Sequence, residues 1–262
     1  MENKLYTLIT GASEGLGKRL AIECATRGMN LVLVALAGEA LSGLGDFLKR
    51  TFDVEVKVFA SDLSDESNCY HLFKEIDQQR LHINILINNA GYGLWGEFDK
   101  LGLTEQNNMM QLNMFALVNL TYEMLPLLKL NNQAYILNVS STTAYQAIPT
   151  LSLYAASKAF VLLFSRGLKL ELEKSNVKVS CICPGPTSTG FIERAGMGGG
   201  IMEERAEKFS MTSDKVAEIA LTGMYAGNAE IIPGIANKVG AMFTFFAPKW
   251  LTEKITASLY KI

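Results

Sequence analysis

The sequence predicts an α/β fold in which one doubly wound parallel sheet carries helices on both faces. Three observations predict it: short runs rich in Val, Ile and Leu recur along the chain, segments of helical spacing separate them, and a glycine-rich turn follows directly on the first run. The apolar runs cover residues 5–10, 30–36, 55–60, 85–88, 134–140 and 178–183. They have the length and composition of buried strands. Between them, Leu16, Leu20, Ala21 and Cys24 recur at helical intervals, as do Leu117, Leu120, Thr121, Met124 and Leu125. Parallel strands need such crossovers, so an alternation that persists to about Ala226 implies the sheet.

A chain of 262 residues, 49% of them hydrophobic, buries one large core, and no repeat or low-complexity linker divides it. Residues 1–262 therefore read as a single domain. A formal net charge of -2 supplies no basic field for a nucleic-acid backbone, so nucleic-acid binding is not expected. Cys24, Cys69, Cys181 and Cys183 match neither a disulfide framework nor a paired zinc-ligand pattern, and no metal is expected. Structural thiols in a reducing compartment fit better. The first residues lack the pattern of a secretory signal, and no apolar run reaches the ~20 residues of a spanning helix. A cytoplasmic protein is the expectation.

Thr10-Gly11-Ala12-Ser13-Glu14-Gly15-Leu16-Gly17 follows the first strand. Its glycines permit a tight turn and bring backbone N–H groups to a pyrophosphate at a helix start, as in Rossmann-type dinucleotide sites. Alone the turn is weak evidence, since glycines in any strand-to-helix turn can serve chain geometry. Its Gly-x-x-x-Gly-x-Gly spacing, however, resembles the short-chain dehydrogenase/reductase family. Further marks follow in order: Asp62-Leu63, Asn88-Asn89-Ala90-Gly91, Asn113, Ser140-Ser141, Tyr154-Ala155-Ala156-Ser157-Lys158 and Pro184-Gly185-Pro186-Thr187-Ser188-Thr189. The resemblance covers residues 5 to about 234, and the tail beyond it resembles those of the branch with 3-ketoacyl and steroid reductases.

That resemblance implies a dinucleotide held by Gly11, Ser13, Gly15, Leu16 and Gly17, with Asp62 and Leu63 on the adenine side. Asn89, Ala90 and Gly91 would pack against the ribose and nicotinamide linkage, while Pro184, Gly185, Thr187 and Thr189 would frame the nicotinamide and diphosphate. Each has a structural alternative: Asp62 could cap the helix starting near Asp65, and Asn88-Asn89 could close a turn.

Tyr154 and Lys158 stand four apart on a predicted helix, hence on one face. A free tyrosine titrates near pH ~10, and an ammonium beside it is expected to lower that value enough for proton exchange with a substrate oxygen. Ser141, at the carboxyl end of a predicted strand, can donate to a carbonyl as negative charge grows. Ser140 competes for that role; family spacing selects Ser141 and leaves Ser140 to satisfy backbone. The resemblance further implies that Lys158 binds nicotinamide ribose hydroxyls and that Asn113 holds a water relaying protons to Lys158. The rival reading is a dinucleotide-sensing binding protein of the same fold without turnover.

After the second strand comes Ala35-Leu36-Ala37, which offers neither a carboxylate for a free ribose nor an arginine for its phosphate. Without a repelling carboxylate NADP(H) is favoured, with NAD(H) the alternative. Ser13, Lys18 and Arg19 are the phosphate partners at hand, opposed by Glu14 and Glu39.

The expected substrate is a small hydrophobic carbonyl compound or alcohol, 3-ketoacyl or steroid-like, in a pocket built by residues 92–95, 145–148 and 191–209. A substrate loop spans about residues 190–211, and the glycines of 196–200 either hinge it as a lid or form a loop with no gating role. Residues 235–262 form a tail of two amphipathic helices: Ile235, Val239, Met242, Phe243 and Phe246 share one face, and Leu251, Ile255 and Leu259 another. These faces are expected to cover the substrate pocket or a subunit interface of a homo-oligomer, dimer or tetramer. Lys238, Lys249, Lys254 and Lys261 against Glu253 suit instead peripheral contact with an anionic membrane or an acyl-carrier partner.

Overall fold

The computed structural model describes residues 4–188, 195–196 and 210–260. Its first half alternates β1 (Leu5–Thr10), α1 (Gly15–Thr26), β2 (Asn30–Ala35), α2 (Glu39–Phe52), β3 (Val56–Ala60), α3 (Glu66–Gln78) and β4 (His82–Asn88). There follow α4 (Leu103–Met110), a π-helical stretch at Gln111–Ala116, α5 (Leu117–Lys129), β5 (Ala134–Val139), a 3₁₀ turn at Thr142–Tyr145, α6 (Ser152–Glu171) and β6 (Val177–Ile182). The remainder contributes β7 (Thr187–Ser188), β8 (Met211–Thr212), α7 (Ser213–Tyr225), β9 (Glu230–Ile231), α8 (Ile235–Phe246) and α9 (Lys249–Leu259).

Seven parallel strands make one sheet in the order β3-β2-β1-β4-β5-β6-β9. The order reverses beside β1, and that switch point opens a crevice at the carboxyl ends of β1 and β4. Strand periodicity divides the core: Leu31 and Leu33 face α1, α2 and α7, whereas Val32 and Val34 face α3 and α5. All four are fully buried, which is why β2 reads as a continuous apolar run. Truncating any such leucine to alanine costs about 2–5 kcal/mol.

Three local features depart from expectation. β4 begins at His82 because Leu5 and Tyr6 extend its ladder to polar residues that hid the strand's start. β9 is a two-residue edge strand on β6, too short to register as an apolar run. β7 and β8 pair in parallel, Thr187 with Met211 and Ser188 with Thr212, so both ends of the expected substrate loop are tied together. Most of that loop lies outside the described residues.

The tail forms both expected helices, and α8 turns its apolar stripe outward. Ile235, Val239, Met242, Phe243 and Phe246 are 47–82% exposed. The buried side chains are Thr244, Thr252 and Thr256, with Asn237 and Ala241 half-buried. The expectation that the apolar face of α8 covers the pocket is thus corrected: small and polar side chains allow α8 to approach the turn at Thr142–Tyr145, and its larger apolar ones point away, while Leu251 of α9 is half-buried. No described helix is long and apolar enough to cross a membrane.

Candidate active site

At the switch point the glycine turn is packed too tightly for side chains. A Cβ on Gly11, whose φ is +61°, would lie 2.9 Å from the Cα of Ala90, and one on Gly17 would lie 2.1 Å from the Gly11 carbonyl oxygen. Only glycine fits either place. Asn89 ties the turn to the end of β4, its Nδ2 donating to the carbonyls of Thr10 at 2.9 Å and Gly11 at 3.2 Å. The backbone N–H groups of Asn89 and Ala90 both donate to Thr10 Oγ1, at 3.0 and 2.9 Å. Thus the Asn89 amide nitrogen is committed to holding the turn, a structural duty alongside the ribose contact expected of it.

α1 starts after Glu14, whose side chain does not cap it, and no acidic residue occupies its first turn. Its opening N–H groups and positive dipole end, beside a glycine cradle that a Cβ would fill, fit a pyrophosphate. Ser13, Gly15 and Leu16 line this helix start and are half-buried. Asp62 accepts from Ser64 N at 3.0 Å and Ser64 Oγ at 2.7 Å, while Asp65 caps α3 by accepting from Ser67 N at 2.9 Å. The capping alternative for Asp62 is therefore wrong by one turn. Leu63 buries its side chain in the layer containing α3 and α5.

Ser141 leaves the end of β5 as the N-cap of the 3₁₀ turn, its Oγ accepting from Thr143 N at 3.1 Å. Tyr154 and Lys158 project from α6, both buried, with the Lys158 Nζ 5.8 Å from the Tyr154 ring centre. That Nζ donates to the Val139 carbonyl at 3.1 Å, and Ser140 Oγ donates to the Lys158 carbonyl at 2.7 Å. Ser140 is thereby spent on backbone, as expected.

Burial pushes the Tyr154 phenol up to about 12, and a hydrogen bond with Ser141 pulls the other way. Burial also pushes Lys158 down to about 8. The expected lowering of Tyr154 by the Lys158 cation is not seen, because desolvation of the buried phenolate outweighs the hydrogen bond with Ser141. At neutral pH Tyr154 holds its proton and can donate it. Tyr145, the neighbouring phenol, donates to Glu230 Oε1 at 2.8 Å and is pushed well above the ordinary tyrosine range by burial, by Cys183 and by that carboxylate.

Asn113 sits in the π-helical stretch, a distortion frequent at functional sites. Its Nδ2 donates to the Tyr92 carbonyl at 2.9 Å and to Ser157 Oγ at 3.1 Å, and Ser157 Oγ donates to the Tyr154 carbonyl at 2.7 Å. Both amide hydrogens are used. Gly91 passes between Asn113 and Lys158: a Cβ there would lie 2.7 Å from Asn113 Oδ1 and 3.4 Å from Lys158 Nζ. Sequence reasoning missed Thr10 and Ser157, whose ordinary hydroxyls give no signal until the fold brings their partners. It also missed the buried chain in which Asn88 donates to Asn138 at 2.9 Å and Asn138 to Ser165 at 2.9 Å, although asparagines inside apolar strands were the clue.

Beyond Tyr154 the walls are apolar. Met109, Ile148, Leu151 and Ala155 are buried around it, with Tyr92, Leu94, Trp95, Leu153 and the tail residue Tyr260 packed alongside. Pro184 accepts from Thr142 N at 2.9 Å, Gly185 accepts from Thr187 Oγ1 at 2.9 Å, and a Cβ on Gly185 would lie 2.5 Å from Asn237 Oδ1 in α8. The glycine thus seats the tail. Thr189 lies outside the described residues.

The model of the family described as short chain dehydrogenase matches residues 6–197. The chain belongs to the short-chain dehydrogenase family. It is 30% identical over 237 residues to 17-beta-hydroxysteroid dehydrogenase type 3 of Mus musculus, covering 89% of this chain and 76% of that one. To the very-long-chain 3-oxoacyl-CoA reductase of Anas platyrhynchos it is 32% identical over 183 residues, 68% of this chain and 58% of that relative's longer one. A solved short-chain dehydrogenase from Sphingobium yanoikuyae, in complex with NADPH, superposes with a TM-score of 0.81 at 30% identity, covering 91% of each chain.

In this short-chain dehydrogenase Leu36, where the sequence places the choice between dinucleotides, is 65% exposed just past β2. Arg19 pairs with Asp214 of α7 at 3.2 Å. Lys18 is exposed and Ser13 half-buried at the start of α1, while Glu39 stands in the first turn of α2.

Proposed function

We propose that this chain transfers a hydride between a nicotinamide dinucleotide and the carbonyl or alcohol carbon of a hydrophobic substrate. The observation that carries the reading is the buried pair of Ser141 and Tyr154, hydrogen-bonded at the carboxyl edge of the sheet, with Lys158 one helical turn away and the glycine cradle beside it. A bound nicotinamide dinucleotide supplies or accepts the hydride. Gly11, Gly15 and Gly17 with the start of α1 hold its pyrophosphate, and Gly91 and Lys158 bound the space for its ribose. NADP(H) is favoured and NAD(H) accepted. The relative from Sphingobium yanoikuyae, solved with NADPH, supports that order.

Ser141 Oγ donates to the substrate oxygen and positions it for the Tyr154 hydroxyl. Because Tyr154 is protonated at neutral pH, the site is set to give a proton as the carbonyl becomes an alcohol. Lys158, charged below about pH 8, stabilises the phenolate left behind. Asn113 is a positioning residue that holds the Tyr92 loop and, through Ser157, the backbone of Tyr154. An apolar wall of Met109, Ile148 and Leu151 excludes water and selects apolar ketones. Steroid-like or 3-ketoacyl substrates follow from that wall and from the activities named for the mouse and duck relatives.

The reading is of one domain over residues 1–262, its substrate loop and tail included, acting as a homo-oligomer. The test is a nicotinamide absorbance screen of the purified protein over steroids, ketoacyl thioesters and small ketones with NADPH and NADH. Turnover of an apolar ketone, faster with NADPH, is expected; no turnover of any ketone with either dinucleotide would sink the reading.

A further inference from the structure

Soluble helices turn apolar faces inward, yet α8 turns its apolar face outward. Ile235, Val239, Met242 and Phe246 recur at helical intervals along one stripe, flanked by Phe243 and Phe245, and exposure reaches 82% at Ile235, 80% at Phe245 and 77% at Phe246. Trp250 at the start of α9 adds a ring that is 66% exposed. The opposite side of α8, with Asn237, Ala241 and Thr244, faces the protein. So large an apolar patch on one element marks an interaction surface.

Charge identifies the occupant. Lys238, Lys249 and Lys254 stand on these two helices against Glu253 alone, in a chain whose formal net charge is -2. A two-fold interface between copies of this chain would bring two lysine-bearing faces together, whereas an anionic surface would be matched by them. Aromatic rings, aliphatic side chains and lysines on short helices that do not span suit the boundary between lipid headgroups and acyl chains. The site lies next to this face, since Tyr260, just past α9, packs in the cluster around Tyr154 and Asn237 of α8 seats on Gly185.

We propose that α8 and α9 dock the enzyme on an anionic lipid bilayer, with the apolar stripe in the acyl region and the lysines among the headgroups. The site beside this face would then draw on the phase in which apolar ketones concentrate. The proposal adds a location to the hydrophobic-substrate reading, and binding is measured without turnover, so the two fail separately.

The experiment is sedimentation of the full-length protein with phosphatidylcholine vesicles, with and without phosphatidylglycerol. Binding is expected to the anionic vesicles and to weaken as salt rises. Phe245→Ser with Phe246→Ser should lower the partition coefficient at least about tenfold, both rings being outside the core. Lys238→Glu and Lys254→Glu should each lower it by about fivefold or more. Tryptophan emission should shift to the blue on vesicle addition, and Trp250→Phe should remove the shift while binding persists. Circular dichroism checks that each variant is folded. Failure of the unaltered protein to bind anionic vesicles, or binding that ignores the phenylalanine substitutions, overturns the proposal. So does ultracentrifugation showing a dimer that the double phenylalanine variant dissolves while vesicles remain unbound, for then the face belongs to a second copy.

Discussion

Asn113 clasps the backbone of Tyr92 from both sides, donating from Nδ2 to its carbonyl at 2.9 Å and accepting from its N–H at Oδ1 at 3.1 Å. A side chain thereby pairs with a loop as a neighbouring strand would. Asn113→Leu leaves two backbone groups unpartnered in a buried place, and the expected loss is about 2–4 kcal/mol in urea unfolding. With the Tyr92 loop released, KM for an apolar ketone should rise while dinucleotide affinity holds. A variant with unchanged stability and KM would refute the positioning role.

Tyr154→Phe removes one hydroxyl and keeps the ring that packs against Leu151 and Ile148. Turnover should fall by about 10²–10⁴, the range of a lost general acid. Dinucleotide binding, followed by fluorescence titration, should be retained, whereas Lys158→Ala should lose both. Substantial turnover in Tyr154→Phe would return the acid role to another group.

Lys158 also makes stability depend on pH. Its folded value, about 8, lies below the ordinary lysine value of 10.5, so between these limits the unfolded chain carries a proton that the folded one lacks. Stability therefore gains from this residue as pH rises through that window, by up to about 3 kcal/mol, and nothing changes below it. Tyr154, raised to about 12, acts oppositely above pH ~10, where the unfolded phenol ionises first. Urea unfolding of the dinucleotide-free protein at pH ~7.5 and ~9.5 should show a gain relative to Lys158→Met. Equal slopes for the two proteins would show that Lys158 is not desolvated.

Leu36→Arg places a guanidinium where the ribose phosphate of NADP(H) would lie. NADPH affinity should tighten by about tenfold and NADH affinity should stay unchanged. Asp214→Ala tests the second cation, since it breaks the ion pair that holds Arg19. Titrations at fixed ionic strength decide both. No effect of Leu36→Arg would place the adenosine ribose elsewhere.

Six strands and the glycine turn were legible because burial on both faces leaves an unbroken apolar run that composition reveals. The Ser141, Tyr154 and Lys158 spacing was likewise legible, since four residues on a helix and the end of a strand are local facts. The titration of Tyr154 was not, because it depends on enclosure by Met109, Ile148 and Leu151, which arrive from distant parts of the chain. The tail shows the limit most plainly. Periodicity located the stripe from Ile235 to Phe246, but a repeat of apolar residues carries no sign saying which side of the helix meets the protein.

The position of β1 in the middle of the sheet bears on how the chain is made. Of the sheet's strands β1 is made first and can pair with β2 after only a short crossover, but its other neighbour, β4, ends at Asn88 and follows much later. Synthesis thus yields a half-sheet that waits with a bare apolar edge, and closing the larger loop slows the second half. β9 completes the opposite border only when residues 230–231 have emerged. A product truncated before that point leaves β6 as an open edge, a template for another chain, so such fragments should precipitate where the full chain folds.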